Sequence, residues 1–258
     1  MTTTGYAPVD ELDIYYEVHG SGQPLVLLHG AMSTIGTSFG KVLPSFARSR
    51  QVVAIEQQSH GHTADIDRPL TYEQMADDTA AVLRHLDIAR ADVFGYSMGG
   101  GVALQVAVRH PDLVRKLVLA STAYEPEGFH PGALDNAADV KPEDLAGTPF
   151  QEDYVRTAPN PGHWARLVAK CGQLDSGFKG WPEDVVQSIE APTLVIIGDS
   201  DIVRPEHAVH LFRLFGGGVF GDIEGMPRSQ LAVLPGTTHI GLVERDEWLI
   251  SMIEAFLD

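Results

Sequence analysis

The sequence predicts an α/β fold in which a mostly parallel central sheet carries helices on both faces and a small helical cap. Short apolar runs alternate along the chain with segments whose apolar residues recur at helical spacing. The apolar runs are continuous, which is typical of strands buried on both faces. One long stretch, 124–189, interrupts this alternation. Repeated strand–helix–strand order requires parallel crossover connections, so the strands are expected to form a mainly parallel sheet.

The first half of the chain contains most of the predicted strands. The segment LDIYYEV, 12–18, alternates in polarity and predicts an edge strand. Two continuous apolar runs predict buried strands over 24–29 and 51–56, and further strands are predicted over 91–96 and 114–120. Helical spacing of apolar residues predicts helices over 72–86 and 98–110, and Pro111 ends the second of these.

The alternation resumes near residue 190, after an excursion rich in proline and large aromatic residues. The second half then predicts strands over 191–198 and 230–235, and helices over 205–215 and 245–257. A break of this length inside a compact fold usually has a function. We therefore expect a core formed by 1–123 and 190–258, and a small, mostly helical cap formed by 124–189.

The composition argues against several classes of function. The chain has 258 residues and a net charge of −17, from 35 acidic residues against 18 Lys and Arg. Such a surface repels phosphate backbones and anionic lipid, so we expect no nucleic-acid partner and no membrane partner. The single cysteine, Cys171, allows no intrachain disulfide and no cysteine-rich metal site.

The sequence also predicts where the protein works. No apolar run approaches the ~20 residues that cross a bilayer, and no signal-peptide pattern is visible at the start. We therefore expect a soluble, cytoplasmic protein. Its oligomeric state stays open.

The segment GYSMG, 95–99, matches the pattern G-x-S-x-G at a predicted strand-to-helix junction. So sharp a turn crowds the positions two before and two after the serine, where only glycine avoids a clash of its Cβ. The turn strains the backbone of Ser97 and pushes its hydroxyl out above the sheet edge. The positive N-terminus of the next helix stabilises an anion formed there. Ser97 is therefore predicted to be a catalytic nucleophile.

A serine hydroxyl needs a base to take its proton, and that base needs an orienting acid. Among eleven histidines, His239 follows the last predicted strand, and Asp201 follows the strand before it. Loops at the carboxyl ends of parallel strands share one rim of a sheet. Ser97, Asp201 and His239 are therefore predicted to meet on that rim. Asp199 and Glu56 are rival candidates for the acid.

Five motifs in this order resemble the α/β-hydrolase superfamily over nearly the whole chain. They are the HGAM loop 29–32, the turn QSHGHT 58–63, the elbow GYSMGG 95–100, the acid loop that begins at Gly198, and the histidine loop PGTTH 235–239. The chain departs from the family at 56–59, where it has EQQS and the family commonly introduces the turn with Asp. The resemblance implies the α/β-hydrolase fold. It also favours Asp201 over Asp199, because the family's acid follows the strand-ending glycine by three residues.

The resemblance further implies an oxyanion hole formed by the backbone N–H groups of Ala31 and Met98. Candidate residues for the substrate pocket are the cap aromatics and one loop histidine: His29, Tyr124, Phe150, Tyr154, Trp164 and Trp181. The pair His60 and His62 is explained by the turn, and no other cluster has metal-ligand spacing. We therefore expect no metal and no cofactor.

The predicted reaction is hydrolysis of a small-molecule carboxylic ester or lactone through an acyl-enzyme. A carbon–carbon bond hydrolase with the same three residues is an alternative, and it would need an anion-binding arginine in the cap, for which Arg156 and Arg166 are available. A cofactor-free perhydrolase and a non-catalytic receptor on the same fold are two further alternatives. A serine at the elbow argues against dehalogenases and epoxide hydrolases, which use an aspartate. The HGAM loop argues against the lipase and esterase branch that carries HGGG.

Overall fold

The computed structural model describes residues 2–134 and 137–258. Within these residues eight strands form one sheet; in chain order they are β1 (Thr2–Val9), β2 (Leu12–Gly20), β3 (Gln23–Leu28), β4 (Arg50–Ile55), β5 (Ala91–Tyr96), β6 (Val114–Ala120), β7 (Thr193–Ser200) and β8 (Gln230–Thr238). Their spatial order is β1-β2-β4-β3-β5-β6-β7-β8. The strand β2 runs antiparallel to both of its neighbours, and the other pairs are parallel. The predicted α/β fold class is confirmed.

The helices of the described residues lie between the strands and in the segment 124–189. They are α1 (Ile35–Phe39), α2 (Leu43–Phe46), α3 (Tyr72–His85), α4 (Met98–Arg109), α5 (Pro149–Thr157), α6 (Trp164–Gly177), α7 (Glu183–Gln187), α8 (Pro205–Leu214), α9 (Gly221–Glu224) and α10 (Asp246–Leu257). The four long core helices, α3, α4, α8 and α10, agree with the sequence prediction to within one or two residues at each end.

The prediction of an edge strand at 12–18 was wrong. The strand β2 pairs with β1 on one side and with β4 on the other, so it lies inside the sheet. The true edge is β1, which the sequence reading missed. Its residues are mostly exposed, and only Ala7 and Val9 are buried, so it carries no apolar run.

Two apolar cores explain why the central strands read as continuous apolar runs. In β3, Val26 and Leu28 point into one core, while Leu25 and Leu27 point into the other. The first core takes its helical residues mainly from α3, α4, α6 and α8, and the second from α1, α2 and α10. A strand buried on both faces must be apolar at every position rather than at alternate ones.

The sheet register brings several loops together on one rim. The strand β3 pairs with β5, with Leu28 opposite Gly95, so the loop after β3 lies beside the elbow after β5. The pairing of β7 with β8 is irregular after Gly198, and Ser200 pairs with Thr238. The residues that follow this pair are Asp201 and His239, so the register sets them side by side.

The segment 124–189 joins β6 to β7 and contains α5, α6, α7 and several short 3₁₀ turns. Asp135 and Asn136 of the predicted cap lie outside the described residues. The segment is hydrogen-bonded to the core at several places, including Asp153 on α5 and Lys170 on α6. The hydroxyl of Thr34 donates to the carboxylate of Asp153, and the ammonium of Lys170 donates to Asp65 Oδ1 at 2.5 Å. In the described ranges, none of the helices combines the length and the apolar character needed to span a bilayer.

Candidate active site

Ser97 sits at the sharp turn between β5 and α4. Its φ is +54° and its ψ is −120°, a conformation that non-glycine residues rarely adopt. The strand ends one residue before it and the helix begins one residue after it. The serine is therefore held in a strained backbone conformation at a helix N-terminus, as the sequence predicts.

Glycines on both sides of Ser97 make this turn possible. A Cβ on Gly95 would lie 2.1 Å from the carbonyl oxygen of Gly99, and a Cβ on Gly99 would lie 1.9 Å from that of Leu28. Both contacts are with backbone, which cannot move aside cheaply. The elbow therefore requires glycine at these two positions.

The side chains of Ser97, His239 and Asp201 form one hydrogen-bonded chain. The Ser97 hydroxyl lies 2.9 Å from His239 Nε2. The other ring nitrogen, Nδ1, lies 2.7 Å from Asp201 Oδ1. Because an ionised carboxylate only accepts, Nδ1 carries the proton and Nε2 is free to accept the serine proton. The structure thus brings together the three residues that the sequence selected.

Asp201 is held in its charged form although its side chain is buried. Burial alone would raise its pKa. Hydrogen bonds from His239, from the Ser121 hydroxyl and from the Val203 N–H outweigh burial, and the pKa of Asp201 lies below its usual value. The carboxylate therefore stays ionised near neutral pH and can stabilise a protonated imidazole.

The two rival acids have other partners. Asp199 is exposed and accepts the N–H groups of Gly236 and Thr237, at 2.9 and 3.1 Å, so it braces the histidine loop. Glu56 is buried and bonded to both the backbone N–H and the ring of His62, at 2.6 and 2.9 Å. Neither carboxylate is hydrogen-bonded to His239 in the described part of the chain.

Two backbone N–H groups beside Ser97 have no acceptor within the described residues: those of Ala31 and Met98. Met98 is the first residue of α4, so its N–H has no partner inside the helix. Ala31 follows Gly30, on which a Cβ would lie 3.5 Å from the Ser97 Cβ. The next N–H, that of Met32, is already bonded to His60 Nε2 at 3.1 Å. This arrangement leaves two free donors next to the serine.

An apolar cavity of about 580 Å³ opens beside these loops. Its lining includes Tyr96, which precedes Ser97 in the chain, and Ile240, which follows His239. It also includes Ser33, which follows Met32 in the loop after β3. Phe150 on α5 also lines it. Of the six predicted pocket residues, Phe150 is the one found in this lining.

The other five predicted pocket residues are not in this lining. His29 is fully buried, and both its ring nitrogens are bonded to backbone, Nδ1 to the Gly30 carbonyl and Nε2 to the Gln57 N–H. Tyr154 and Trp164 pack against each other with ring centres 5.3 Å apart, and both are buried. These two rings contact each other, as large aromatic residues often do in a protein interior.

The remaining two predicted pocket residues, Tyr124 and Trp181, contact other parts of the molecule. The Tyr124 ring stacks on His207 at 4.7 Å and its hydroxyl donates to Glu183. The Trp181 ring packs against Tyr72 at 5.3 Å. These contacts lie away from the apolar cavity, so Tyr124 and Trp181 do not line it.

The two candidate anion-binding arginines are occupied elsewhere. Arg156 pairs with Asp153, and Arg166 pairs with Asp65 at 2.5 Å. Their side chains are 69% and 42% exposed. Neither forms the inward-facing cation that the carbon–carbon hydrolase alternative needs.

Three residues around the base were not found from the sequence. The Tyr96 hydroxyl donates to the His239 carbonyl at 2.9 Å and so fixes the histidine loop. Ser121 follows β6 and donates to Asp201; its place after a parallel strand was the signal that could have identified it. Burial raises the pKa of Asp175 on α6, and the charge of His239 acts to lower it. No group of three or more metal-ligating side chains is gathered in the part of the chain that the structure describes.

Comparison with known proteins identifies the family. The model of the "Alpha/beta hydrolase family" matches residues 25–251, and the chain belongs to this family. The 2-hydroxymuconate semialdehyde hydrolase of Pseudomonas sp. (strain CF600) is 37% identical over 40% of this chain and 38% of that protein. The AB hydrolase superfamily protein YisY of Bacillus subtilis is 26% identical over 96% of each chain.

Solved structures agree with the fold. The structure described as "Est816 as an N-Acyl homoserine lactone degrading enzyme" has a TM-score of 0.73 and 24% identity, over 97% of this chain and 99% of that one. At this identity the likeness shows the shared fold.

Proposed function

We propose that this α/β hydrolase is a serine hydrolase that cleaves carboxylic esters or lactones through an acyl-enzyme. The observation that carries the proposal is the continuous chain from the Ser97 hydroxyl through the His239 ring to the Asp201 carboxylate, at 2.9 and 2.7 Å. A serine in this arrangement loses its proton as it attacks, so it becomes a nucleophile near neutral pH.

In the proposed reaction the Ser97 oxygen attacks the carbonyl carbon and His239 Nε2 takes the serine proton. The free N–H groups of Ala31 and Met98 hold the oxyanion that forms. His239 then gives its proton to the departing alcohol, and an acyl group remains on Ser97. Water, activated by the same ring, attacks the acyl-enzyme and releases the acid. Asp201 stabilises the charged imidazole in both halves of the reaction.

The segment 124–189 is proposed to be a cap that shapes the substrate pocket. Phe150 from this segment lines the apolar cavity together with Tyr96 and Ile240 from the core. A cavity of about 580 Å³ lies within the range of small-molecule sites. Its apolar lining favours an ester or lactone with an apolar chain.

The ester and lactone reactions are favoured over carbon–carbon bond hydrolysis. Carbon–carbon bond hydrolysis would need a cation in the segment 124–189 to bind an anionic substrate. The candidates, Arg156 and Arg166, are exposed and paired with carboxylates of the protein.

The test uses 4-nitrophenyl esters and lactones of graded chain length, with wild type, Ser97→Ala and Ser188→Ala. We expect wild type to hydrolyse the medium-chain neutral esters, and Ser97→Ala to lose at least about 10³-fold in kcat with an unchanged circular dichroism spectrum. Ser188 is exposed and bonded only to the Val185 carbonyl, so Ser188→Ala is the matched control and keeps wild-type rates. Hydrolysis that survives in Ser97→Ala would reject the proposal.

A further inference from the structure

Two loops beside the elbow are joined by a pair of histidines, each of which bonds to the backbone of the other loop. His29, in the loop after β3, accepts the N–H of Gln57 at 3.0 Å through Nε2. His60, in the loop after β4, accepts the N–H of Met32 at 3.1 Å through Nε2. The two rings lie against each other, with centres 4.8 Å apart. The loop that carries the proposed oxyanion donor, Ala31, is therefore held by the loop after β4.

The ring of His60 is fixed as a hydrogen-bond acceptor at Nε2. It is fully buried, and Nδ1 lies 2.9 Å from the Gln58 carbonyl, which can only accept, so Nδ1 carries the proton. Burial, together with the nearby His29 ring, lowers the pKa of His60 to about 3. The ring is therefore neutral near pH 7, and Nε2 has its lone pair free for Met32. The Sγ atom of Cys171, on α6, lies 3.7 Å from this nitrogen.

Residues 30–33 form a tight turn in which the Ser33 N–H donates to the Gly30 carbonyl at 3.3 Å. Met32, the third residue of the turn, has a φ of +57°, whereas Ala31 does not have a positive φ. A positive φ at the third residue alone is the mark of a type II turn, which usually has glycine there. A side chain in this conformation is strained, so the turn needs outside contacts to keep this form.

The other backbone N–H groups of this turn have acceptors. The N–H of Gly30 donates to the Ser38 hydroxyl at 3.3 Å, and that of the last residue donates back across the turn. The N–H of Met32 donates to His60, which leaves the N–H of Ala31 without an acceptor among the described residues. The Met32 N–H belongs to the central peptide of the turn, whose orientation distinguishes type II from type I. The bond to His60 therefore selects the form of the turn.

We propose that His60 is a positioning residue that keeps the turn 30–33 in the form that presents the Ala31 N–H to the oxyanion. It acts through its hydrogen bond to Met32 and does not touch the substrate. The proposal rests on the proposed ester or lactone hydrolysis and adds a residue to that mechanism. Without the acceptor, the strained Met32 relaxes toward a negative φ and the donor beside it loses its alignment. A misaligned donor stabilises the transition state less, while binding of the ground state in the cavity is unaffected.

The first experiment separates turnover from binding with a 4-nitrophenyl ester. His60→Leu removes the acceptor, whereas His60→Gln keeps an acceptor oxygen on a side chain of similar reach. We expect kcat of His60→Leu to fall about 10²-fold, comparable to the loss of one oxyanion donor, with KM changed by less than about threefold. His60→Gln should recover at least about tenfold of that loss. Equal rates for wild type and His60→Leu, or a loss that appears in KM alone, would overturn the proposal.

The matched control is His207→Leu, on α8. His207 is also buried, and its Nε2 accepts the backbone N–H of Tyr124 at 3.2 Å, so it makes the same kind of bond away from the turn. Tm should fall in both leucine variants, because each leaves a buried N–H without its acceptor. We expect kcat to fall only in His60→Leu. An equal loss of kcat in His207→Leu would show that removal of any buried imidazole has this effect, and would contradict the assignment to His60.

A double-mutant cycle tests whether His60 acts through the Ala31 donor. Proline is common at the second position of a type II turn, so Ala31→Pro removes the N–H and is compatible with the turn. His60→Leu should lower kcat about 10²-fold in wild type but less than about threefold in Ala31→Pro, because the donor that it positions is already gone. Losses that multiply would give His60 a role independent of the oxyanion and reject the proposal.

Hydrogen exchange of the Met32 amide, followed by NMR, examines the same bond without any turnover. This amide should be protected in wild type and in His207→Leu, and should exchange at least about tenfold faster in His60→Leu. Unchanged protection in His60→Leu would overturn the proposal even if esters are hydrolysed. If wild type hydrolyses no ester, the proposed hydrolysis fails, while the exchange of Met32 still decides whether His60 holds this turn.

Discussion

Asp201 and Asp175 are two carboxylates whose pKa values both depend on His239, and their surroundings differ. Asp201 comes from the sheet rim and accepts three hydrogen bonds, which hold its pKa below the usual value although burial acts to raise it. Asp175 comes from α6, has no donor among the described residues, and has a pKa raised by burial to about 6. The difference shows that hydrogen bonds can outweigh burial at one carboxylate, whereas burial prevails at a carboxylate without them.

The largest expected effect is on kcat and comes from removing the charge of Asp201. Asp201→Asn leaves a group of the same size but takes away the acceptor that keeps the proton on His239 Nδ1. We expect kcat for a neutral nitrophenyl ester to fall about 10⁴-fold, because the ring is then held in the wrong tautomer. Steady-state rates at pH 7 to 8 measure this loss.

Asp199→Asn is the matched comparison for that variant. Asp199 is exposed and bonds only to backbone N–H groups of the histidine loop and to Ser200. Its replacement should cost no more than about tenfold, the size of one or two weakened hydrogen bonds. If Asp199→Asn were the more damaging change, the acid would be misassigned.

The next effect tests whether the rim also supplies the oxyanion donors. Ala31→Pro removes one free N–H and is expected to lower kcat by about 10² to 10³-fold. Ala31→Gly keeps the N–H and controls for loss of the methyl group. A variant with proline that is folded by circular dichroism and hydrolyses esters at the wild-type rate would show that Ala31 does not donate to the oxyanion.

The smallest expected effect is on thermal stability and concerns the carboxylate of Asp175. The pKa of Asp175 in the fold is above its usual value of 3.8, so the unfolded chain releases this proton more readily. Stability is therefore lost as pH rises from about 4 to about 6, and the penalty is fully present above that window. Asp175→Asn should raise Tm at pH 7 by about 2–4 °C, and the gain should vanish near pH 4.

Asp65, which pairs with Lys170 on the same helix α6, is expected to show the opposite effect on stability. Burial acts to raise its pKa, but Lys170 and Gln58 hold that pKa below the usual value. Asp65→Asn should therefore lower Tm at pH 7. A Tm gain for Asp65→Asn, or none for Asp175→Asn, would break the contrast between a paired and an unpaired carboxylate.

The sequence predicted the rim far better than the segment above it. Ser97, Asp201 and His239 each follow a parallel strand, and strand order alone puts such loops on one rim. The strand β1 escaped prediction because an exposed edge needs no apolar run. The surroundings of Asp175 depend on how α6 packs on the core, which is set by contacts such as Lys170 with Asp65 rather than by any local pattern.

Four of the five predicted pocket aromatics do not line the apolar cavity, for a related reason. Tyr154 and Trp164 have the composition of a pocket lining but bury each other. Only the packed structure distinguishes an aromatic that faces a cavity, such as Phe150, from one that fills the core of the segment.

Covalent labelling with a fluorophosphonate tests the central claim most directly, because this reagent reacts with an activated serine. We expect one label per chain on the native protein, located by peptide mass spectrometry on Ser97, and none on His239→Ala or on the denatured chain. Labelling of another residue, or full labelling of His239→Ala, would contradict the claim that His239 activates Ser97.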